Sequence, residues 1–317
     1  MTALVEGWGS WLQPLLTPWA LGLIGLLIGS FLNVVAHRLP LMMERQWWAD
    51  VVHQLRDADS YERVFGQPAP AAAGSVAATL GGQIERLPPL GLARPASRCP
   101  KCGHPIRWFE NVPLLSWLAL RGRCSACRTA IPWRYPFVEL LTGALFAAVA
   151  WRLGPQPVTL LWCAVVAVLL ALSLVDWDTT VLPDAMTLPL AWAGLLAAAL
   201  GWTLPWREAL WGAVAGYLSL WSVYWLFKLT TGKEGMGQGD FKLLAALGAW
   251  LGWKALLPIV LFASVLGALV GIGMKACGAL REGRFVPFGP FLAAAGWVQL
   301  VFAPDLLGAY MGAVGLR

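Results

Sequence analysis

The sequence predicts an all-α polytopic membrane protein with about eight transmembrane helices and a small cytoplasmic zinc-binding domain between helices 1 and 2. Three observations support this fold class. Hydrophobic residues make up 58% of the 317 residues and charged residues only 13%, whereas about a quarter of the residues in a soluble domain are charged. Apolar stretches of about 20 residues, long enough to cross a bilayer, recur along the chain. The one long polar segment contains two Cys-x-x-Cys pairs.

The apolar segments set the predicted division of the chain. Seven long ones lie at roughly 18–36, 135–151, 157–175, 185–204, 209–227, 255–276 and 287–302. A shorter one of about 14 residues follows Asp240, and at about 1.5 Å per residue it is marginal for crossing the hydrocarbon core. We therefore expect a first transmembrane segment at 1–37, a polar domain at 38–134 and a seven-helix membrane domain at 135–317.

The basic residues predict the orientation of these segments. No Lys or Arg precedes the first one, and 13 of the 23 in the chain fall between Arg38 and Arg134. Because Lys and Arg beside spans tend to stay in the cytoplasm, the N-terminus is predicted outside and the polar domain inside. A re-entrant short segment would instead move the cluster from Lys275 to Arg284 outside. The net charge of +6 is thus mainly a topology signal, and no nucleic-acid surface is predicted.

Four cysteines in "RCPKCGHPIRW" and "RGRCSACRTAI" predict a metal site. Cys99, Cys102, Cys124 and Cys127 form two Cys-x-x-Cys pairs separated by 21 residues. Each pair can present two thiolates from one tight turn, and two such turns complete a tetrahedral Zn²⁺ site. A disulfide is disfavoured in a reducing cytosol, and a solvated loop position explains His104 better than metal ligation does.

Other features of these regions have simpler explanations. Cys163 and Cys277 stand alone in or at the end of apolar segments, where a small buried side chain is the default. Residues 44–95 include the Ala/Gly/Pro-rich stretch "QPAPAAAGSVAATLGG", which predicts a flexible linker.

Carboxylates beside apolar segments are functional candidates, because ionisable groups at membrane depth are costly. Three have structural explanations: Glu139 can pair with Arg134, Asp178 suits a solvated turn, and Asp184 suits a helix N-cap. Asp176 has none of these explanations. It directly ends the run "LWCAVVAVLLALSLV", and a carboxylate at the C-terminal end of a helix meets the unfavourable end of the dipole.

Asp240 is the second carboxylate that scaffolding does not explain. It follows Gly235, Gly237 and Gly239 in "GMGQGDFKLLAALGAW", and these glycines allow backbone conformations and close approaches that an extended substrate strand would need. Under the predicted topology, Asp176 and Asp240 both lie at cytoplasmic ends of their segments. If they share a proton they form an aspartic dyad that activates water and polarises a scissile carbonyl.

At these residues the chain resembles the type 4 prepilin peptidases, the GxGD aspartic proteases of the bacterial inner membrane. The matching segments are "GSFLNVVAHRLP", the two Cys-x-x-Cys pairs around "ENVPLLSWLALRGRC", "RYPFVELLTGALF", "LVDWDTTVLPDAMTLPL" and "GMGQGDFKLLAALGAW". The resemblance implies that Asp176 and Asp240 are catalytic and that Gly237 and Gly239 belong to the active-site loop. It also implies cleavage of prepilins or pseudopilins after a glycine that ends a short basic leader, at the membrane surface. Methylation of the new N-terminus by S-adenosylmethionine is implied by the resemblance alone.

One departure and two alternatives accompany this resemblance. The stretch 47–97 is longer and richer in Ala and Pro than the corresponding region of the family. A proton-coupled transporter also uses intramembrane aspartates, but near the midplane and without a zinc module. A non-catalytic assembly scaffold explains the zinc module but gives Asp176 and Asp240 no role.

Overall fold

The computed structural model describes residues 13–278 and 286–313, the stretch 303–313 by its backbone alone. Within these ranges the chain forms α-helices and short 3-10 turns, without a β-strand. The helices are α1 (Pro18–Arg56), α2 (Ala58–Phe65), α3 (Ala71–Glu85), α4 (Leu115–Ala119), α5 (Arg134–Leu153), α6 (Pro157–Thr179), α7 (Asp184–Ala199), α8 (Trp206–Thr231), α9 (Gln238–Leu251), α10 (Leu256–Ala276) and α11 (Gly289–Ala313). The predicted all-α fold is confirmed.

The chain divides into two compact units. The first, the membrane unit, comprises residues 1–32, 113–115 and 132–317, and the second, the cysteine unit, comprises 33–112 and 116–131. Helix α1 belongs to the membrane unit up to Leu32 and to the cysteine unit from Asn33 onward. At about 1.5 Å per residue its 39 residues measure about 58 Å, well beyond the roughly 30 Å of a hydrocarbon core.

Each of the predicted apolar segments is helical. Among the residues that the structure describes, five helical segments are long and apolar enough to cross a membrane, namely Pro18–Arg56, Arg134–Leu153, Pro157–Thr179, Trp206–Thr231 and Trp253–Ala276. Asp184–Ala199 and Gly289–Phe302 are shorter apolar helices, and α9 has only 14 residues. A total of eight spans therefore stays a prediction.

Glycines let several helices of the membrane unit pack with their backbones close together. A Cβ at Gly25 would lie 2.8 Å from the Cα of Gly143, and one at Gly29 would lie 2.7 Å from the Cα of Glu139. These contacts join α1 to α5. Gly212 and Gly248 join α8 to α9 in the same way. Small residues favour such close packing in lipid, where van der Waals contact replaces the hydrophobic effect between helices.

The short helix α9 lies inside the membrane unit. Its apolar side chains are almost fully buried: Phe241, Leu243, Leu244, Leu247 and Trp250 each expose 2% or less. The indole N–H of Trp250 donates to the carbonyl of Leu190 on α7 at 2.8 Å, and its ring packs edge-on against Trp162 at 5.2 Å. Helix α9, which carries Asp240 in its first turn, is thereby held by neighbouring helices.

The cysteine unit is more helical than the sequence suggests. The predicted linker is wrong over its Ala-rich part, because Ala71–Glu85 is the helix α3. Alanine has the highest helix propensity, and here it outweighs the glycines. The segment after α3 is tied back to α1, since Arg38 donates to the carbonyl of Gly91 at 2.9 Å and Arg45 to that of Pro88 at 2.8 Å.

Candidate active site and metal centre

Asp176 lies in the last turn of α6 and is 4% exposed. Its Oδ2 accepts a hydrogen bond from the backbone N–H of Gly289 at 3.1 Å. Gly289 is the first residue of α11, so the N-terminal end of that helix dipole faces the carboxylate. The unfavourable C-terminal end of α6 is offset by the favourable N-terminal end of α11.

Asp240 lies in the first turn of α9 and is 7% exposed. Gly239, which precedes Asp240, and Gly289, which bonds Asp176, both approach the side chain of Leu182. Each carboxylate therefore faces a helix N-terminus, Asp240 that of its own helix and Asp176 that of α11. The site joins residues that are 64 positions apart in the sequence, and it can hold two carboxyl groups that share one proton.

Leu182 fills the space beside this aspartate pair. A Cβ at Gly239 would lie 2.7 Å from the Cβ of Leu182, and one at Gly289 would lie 3.1 Å from its Cδ1 and 2.5 Å from Oδ2 of Asp176. Leu182 belongs to the short loop between α6 and α7. The two glycines therefore allow α9 and α11 to approach this loop and the aspartates closely.

The glycine track before Asp240 differs in part from its prediction. None of Gly235, Gly237 and Gly239 has a positive φ, so the prediction that these glycines adopt unusual backbone conformations is wrong. Close approaches occur at Gly235, whose Cβ would lie 2.8 Å from the ring of Phe227, and at Gly239 beside Leu182, whereas the approach of a substrate strand stays a prediction. These spaces are occupied by side chains of the same chain.

One ion pair lies close in sequence to Asp176 and another to Asp240. Asp178 accepts two hydrogen bonds from Arg134 at 2.8 and 2.7 Å, and Asp184 accepts from Nζ of Lys242 at 2.6 and 2.7 Å. The predicted turn at Asp178 is wrong, because α6 continues through it to Thr179, but the residue is exposed as predicted. The predicted N-cap role of Asp184 is also wrong, because the cap residue is Pro183 and no side chain caps the helix.

Glu139 is 8% exposed and does not pair with Arg134, whose partner is Asp178. Its Oε2 accepts from the backbone N–H of Leu114 at 2.8 Å, a residue with a positive φ of 59°. The predicted Arg134 pairing of Glu139 is therefore wrong. The carboxylate instead satisfies a backbone donor in a strained turn.

The loop before α9 is anchored to α8. Glu234 accepts from Nζ of Lys228 at 2.8 Å and from the hydroxyl of Tyr224 at 3.1 Å. Lys228, with Tyr224 next to it, lowers the pKa of the Glu234 carboxyl. Tyr224 also packs against Phe241 of α9 with ring centroids 5.6 Å apart.

The four predicted cysteine ligands come together. Their sulfur atoms all lie within 4.8 Å of one another, and Sγ of Cys99 is 3.8 Å from Sγ of Cys127. A tetrahedral Zn²⁺ with Zn–S bonds of about 2.3 Å requires sulfur atoms about 3.8 Å apart. The donor set and spacing thus fit one tetrahedral metal ion.

Two similar turns present these thiols. In the first, Cys99 N–H donates to His104 and Gly103 N–H donates back to Cys99, both at 2.9 Å. In the second, Cys124 and Arg128 repeat this pattern at 2.9 and 3.0 Å, with Thr129 as the acceptor for Cys124. The side chain and backbone of Thr129 lower the pKa of the Cys127 thiol, whereas burial and the neighbouring thiols raise the pKa of Cys102.

The remaining candidates lie outside this cluster. Nε2 of His104 is 3.6 Å from Oε2 of Glu110, and His104 is not among the clustered ligands. Cys163 is buried, as predicted, with 3% exposure. Cys277 is exposed, so its predicted burial is wrong; it follows the last turn of α10, where the packing of that helix ends.

Sequence reasoning missed three residues of the aspartate site: Leu182, Lys242 and Gly289. The signal for Gly289 is a glycine directly before Pro290 at the start of the last apolar segment, where a helix begins. Lys242 is a basic residue inside an apolar run, two positions after Asp240. Nothing in the pattern around Leu182 distinguishes it from its apolar neighbours.

Comparison with known proteins supplies an independent observation. Residues 23–153 match the Bacterial Peptidase A24 N-terminal domain, and residues 163–272 match the Type IV leader peptidase family. Curated proteins named prepilin leader peptidase/N-methyltransferase are similar over most of the chain. That of Stutzerimonas stutzeri is 47% identical, covering 91% of both chains; that of Aeromonas salmonicida is 48% identical, covering 92% of this chain and 93% of its own; and that of Pseudomonas aeruginosa is 46% identical, covering 93% of both. No solved structure matches the chain.

Proposed function

The chain belongs to the type IV leader peptidase family, and we propose that Asp176 and Asp240 are its catalytic pair. As a member of this family, the chain is an enzyme that cleaves the leader from prepilins and N-methylates the product. It is an integral protein of the inner membrane, and prepilins are its substrates. The single observation that carries the proposal is that both carboxylates are buried, and that Gly289, which bonds Asp176, and Gly239, which precedes Asp240, pack on the same side chain, Leu182.

The pair can act through one shared proton. The ionised aspartate takes a proton from a water molecule, and the water oxygen attacks the carbonyl carbon of the scissile bond. The protonated aspartate donates its proton to the carbonyl oxygen, so no free oxyanion forms. Proton transfer to the amine then breaks the C–N bond, releasing the leader as a carboxylic acid and the pilin as a new N-terminal amine.

The dipoles around the pair suit this chemistry. The N–H of Gly289 and the N-terminal end of α9 both favour a carboxylate. Two ionised carboxylates side by side repel each other, so one proton remains on the pair. Gly237 and Gly239 belong to the loop and first turn that carry Asp240, and we assign them to the active-site loop.

The metal proposal is a structural Zn²⁺ held by Cys99, Cys102, Cys124 and Cys127. Four thiolate ligands leave no open position, which is typical of a structural rather than a catalytic site. The ion would tie the two turns together. The methyl donor is S-adenosylmethionine, as the N-methyltransferase name of the relatives implies; we assign no residues to it.

The topology proposal places the cysteine unit and both aspartates at the cytoplasmic face. It rests on the 13 of 23 basic residues in 38–134 and on the absence of Lys and Arg before Arg38. The domains follow as one segment at 1–37, a cytoplasmic domain at 38–134 and a membrane catalytic domain at 135–317. A reporter fused at Gly74 should be cytoplasmic, and an external signal there would reverse this orientation.

Leader cleavage by asparagine variants tests the catalytic assignment. Asp176→Asn and Asp240→Asn should each abolish cleavage of a full-length type IV prepilin in detergent, because an amide neither accepts the water proton nor shares one. Asp178→Asn is the matched control, since its carboxylate pairs with Arg134, and it should retain substantial activity. Loss in Asp178→Asn with retention in Asp176→Asn would instead show that Asp178 is the partner of Asp240.

A further inference from the structure

We infer that the ion pair between Lys242 and Asp184 positions Asp240 opposite Asp176 for leader cleavage. This inference rests on the proposed catalytic role of the two aspartates. Lys242 and Asp184 would be positioning residues, because they act through the placement of Asp240 and do not touch the scissile bond.

The ion pair between Lys242 and Asp184 closes a ring of contacts around Asp176 and Asp240. The chain leaves Asp176 at the end of α6, passes Leu182 and enters α7 at Asp184. Asp184 bonds Lys242, which lies two residues after Asp240. The loop that begins near one aspartate is thus tied to the helical turn that carries the other.

Neither of the two joined helix ends is capped by the side chain of its cap residue. The cap residue of α9 is Gly237 and that of α7 is Pro183, and neither makes a side-chain capping hydrogen bond. Uncapped helix ends fray readily, because their first N–H groups have no intrahelical partner. The two short bonds from Lys242, at 2.6 and 2.7 Å, hold these two ends together.

Loss of the ion pair should affect catalysis more than stability. The side chain of Asp184 is 56% exposed and that of Lys242 26% exposed, and exposed ion pairs add little to overall stability. Catalysis is more sensitive, since a misplacement of about 1 Å can cost about a hundredfold in rate. We therefore expect loss of the pair to slow cleavage while the protein remains folded.

A second ion pair of the membrane unit provides a matched control. Lys254 and Glu208 lie 3.9 Å apart, with side chains 71% and 42% exposed. Lys254 follows the C-terminal end of α9, whereas Asp240 lies at its N-terminal end. Removing this pair also neutralises one cation and one anion of the membrane unit, but it leaves the contacts around Asp176 and Asp240 in place.

The experiment is a double-mutant cycle on the full-length enzyme in detergent, with a full-length type IV prepilin as substrate. Lys242→Met and Asp184→Asn should each lower kcat about tenfold with KM unchanged, and the double variant should be no slower than either single variant. Lys242→Arg should stay within about twofold of the wild type, because Arg also binds a carboxylate through two bonds. The control double variant Lys254→Met/Glu208→Gln should cleave normally.

Methyl transfer to an already trimmed pilin checks folding in every variant and should be unchanged. Normal cleavage by both single variants would overturn the inference, as would losses that multiply in the double variant or a parallel fall in methyl transfer. Asp176→Asn and Asp240→Asn form a separate arm of the same assay. Cleavage by either of them would refute the catalytic assignment itself, whatever the ion-pair variants do.

Discussion

The cysteine cluster and the aspartate pair each join two segments that are distant in sequence, but they are built differently. Each cysteine turn closes on its own backbone hydrogen bonds, Cys99 with His104 and Cys124 with Thr129. The aspartate pair has no such local unit. Asp176 ends one helix, Asp240 begins another, and a third helix supplies the N–H of Gly289.

This difference determines what substitutions should do. A cysteine turn holds its shape through local bonds, and the proposed metal would tie it to the second turn, so a lost ligand should disturb the fold of the cysteine unit. The aspartate site is held by many helix contacts, so a local change there should leave the fold intact and alter the rate.

The largest effect is expected at the metal. Replacing Cys124 with Ser should lower the zinc content well below one ion per chain and make residues 98–130 sensitive to protease. Zinc binding contributes about 10–16 kcal/mol in zinc-finger peptides, so one lost ligand removes much of what holds the turns together. Metal analysis and limited proteolysis measure this.

Cys277→Ser is the matched control, because Cys277 is exposed and lies outside the cluster. It should retain its zinc and its resistance to protease. A Cys124→Ser enzyme with full zinc content and wild-type resistance would contradict the role of this residue as a ligand.

The next effect is expected at Gly239. Gly239→Val should slow leader cleavage about a hundredfold, equivalent to about 2.7 kcal/mol, because its Cβ would lie 2.7 Å from the Cβ of Leu182. The first turn of α9 would have to shift, and Asp240 with it. Gly273→Val is the control, since a Cβ there meets nothing within 4 Å. Equal cleavage rates in the two variants would argue against this packing constraint.

The smallest effect compares the two cysteine turns at equivalent positions. Gly103 has φ 71° and Arg128 has φ 56°, a region that costs an L-residue about 1 kcal/mol or more. Gly103→Ala should therefore release zinc to a chelator about fivefold faster, as about 1 kcal/mol implies. Arg128→Gly should release it no faster than the wild type. Faster release from Arg128→Gly alone would show that the arginine side chain holds the second turn.

The helices and the cysteine cluster could be predicted from the sequence because their signals are local. Apolar runs of bilayer length specify helices wherever they occur, and the spacing of Cys99, Cys102, Cys124 and Cys127 restricts how the thiols meet. The linker predicted over Ala71–Glu85 was wrong because two local signals conflict there. Alanine favours a helix, whereas the accompanying glycines and prolines favour a linker.

The partners of the carboxylates could not be predicted, because they come from other helices. Asp178 bonds Arg134, 44 positions away, and Asp184 bonds Lys242, 58 positions away. Local patterns assigned these two residues to a turn and a cap, since nothing near them in sequence reveals the distant cation. Asp176 and Asp240 were identified by exclusion, as carboxylates that no local role explained. The hydrogen bond from Gly289 to Asp176 could not be predicted, because it joins residues 113 positions apart.

Leader cleavage by Asp240→Asn, measured beside zinc content and methyl transfer in one preparation, tests the central claim most directly. We predict that cleavage of a full-length prepilin is lost, that about one zinc per chain is retained, and that an already trimmed pilin is still methylated. Cleavage near the wild-type rate by this variant, with all else equal, would contradict the aspartic mechanism.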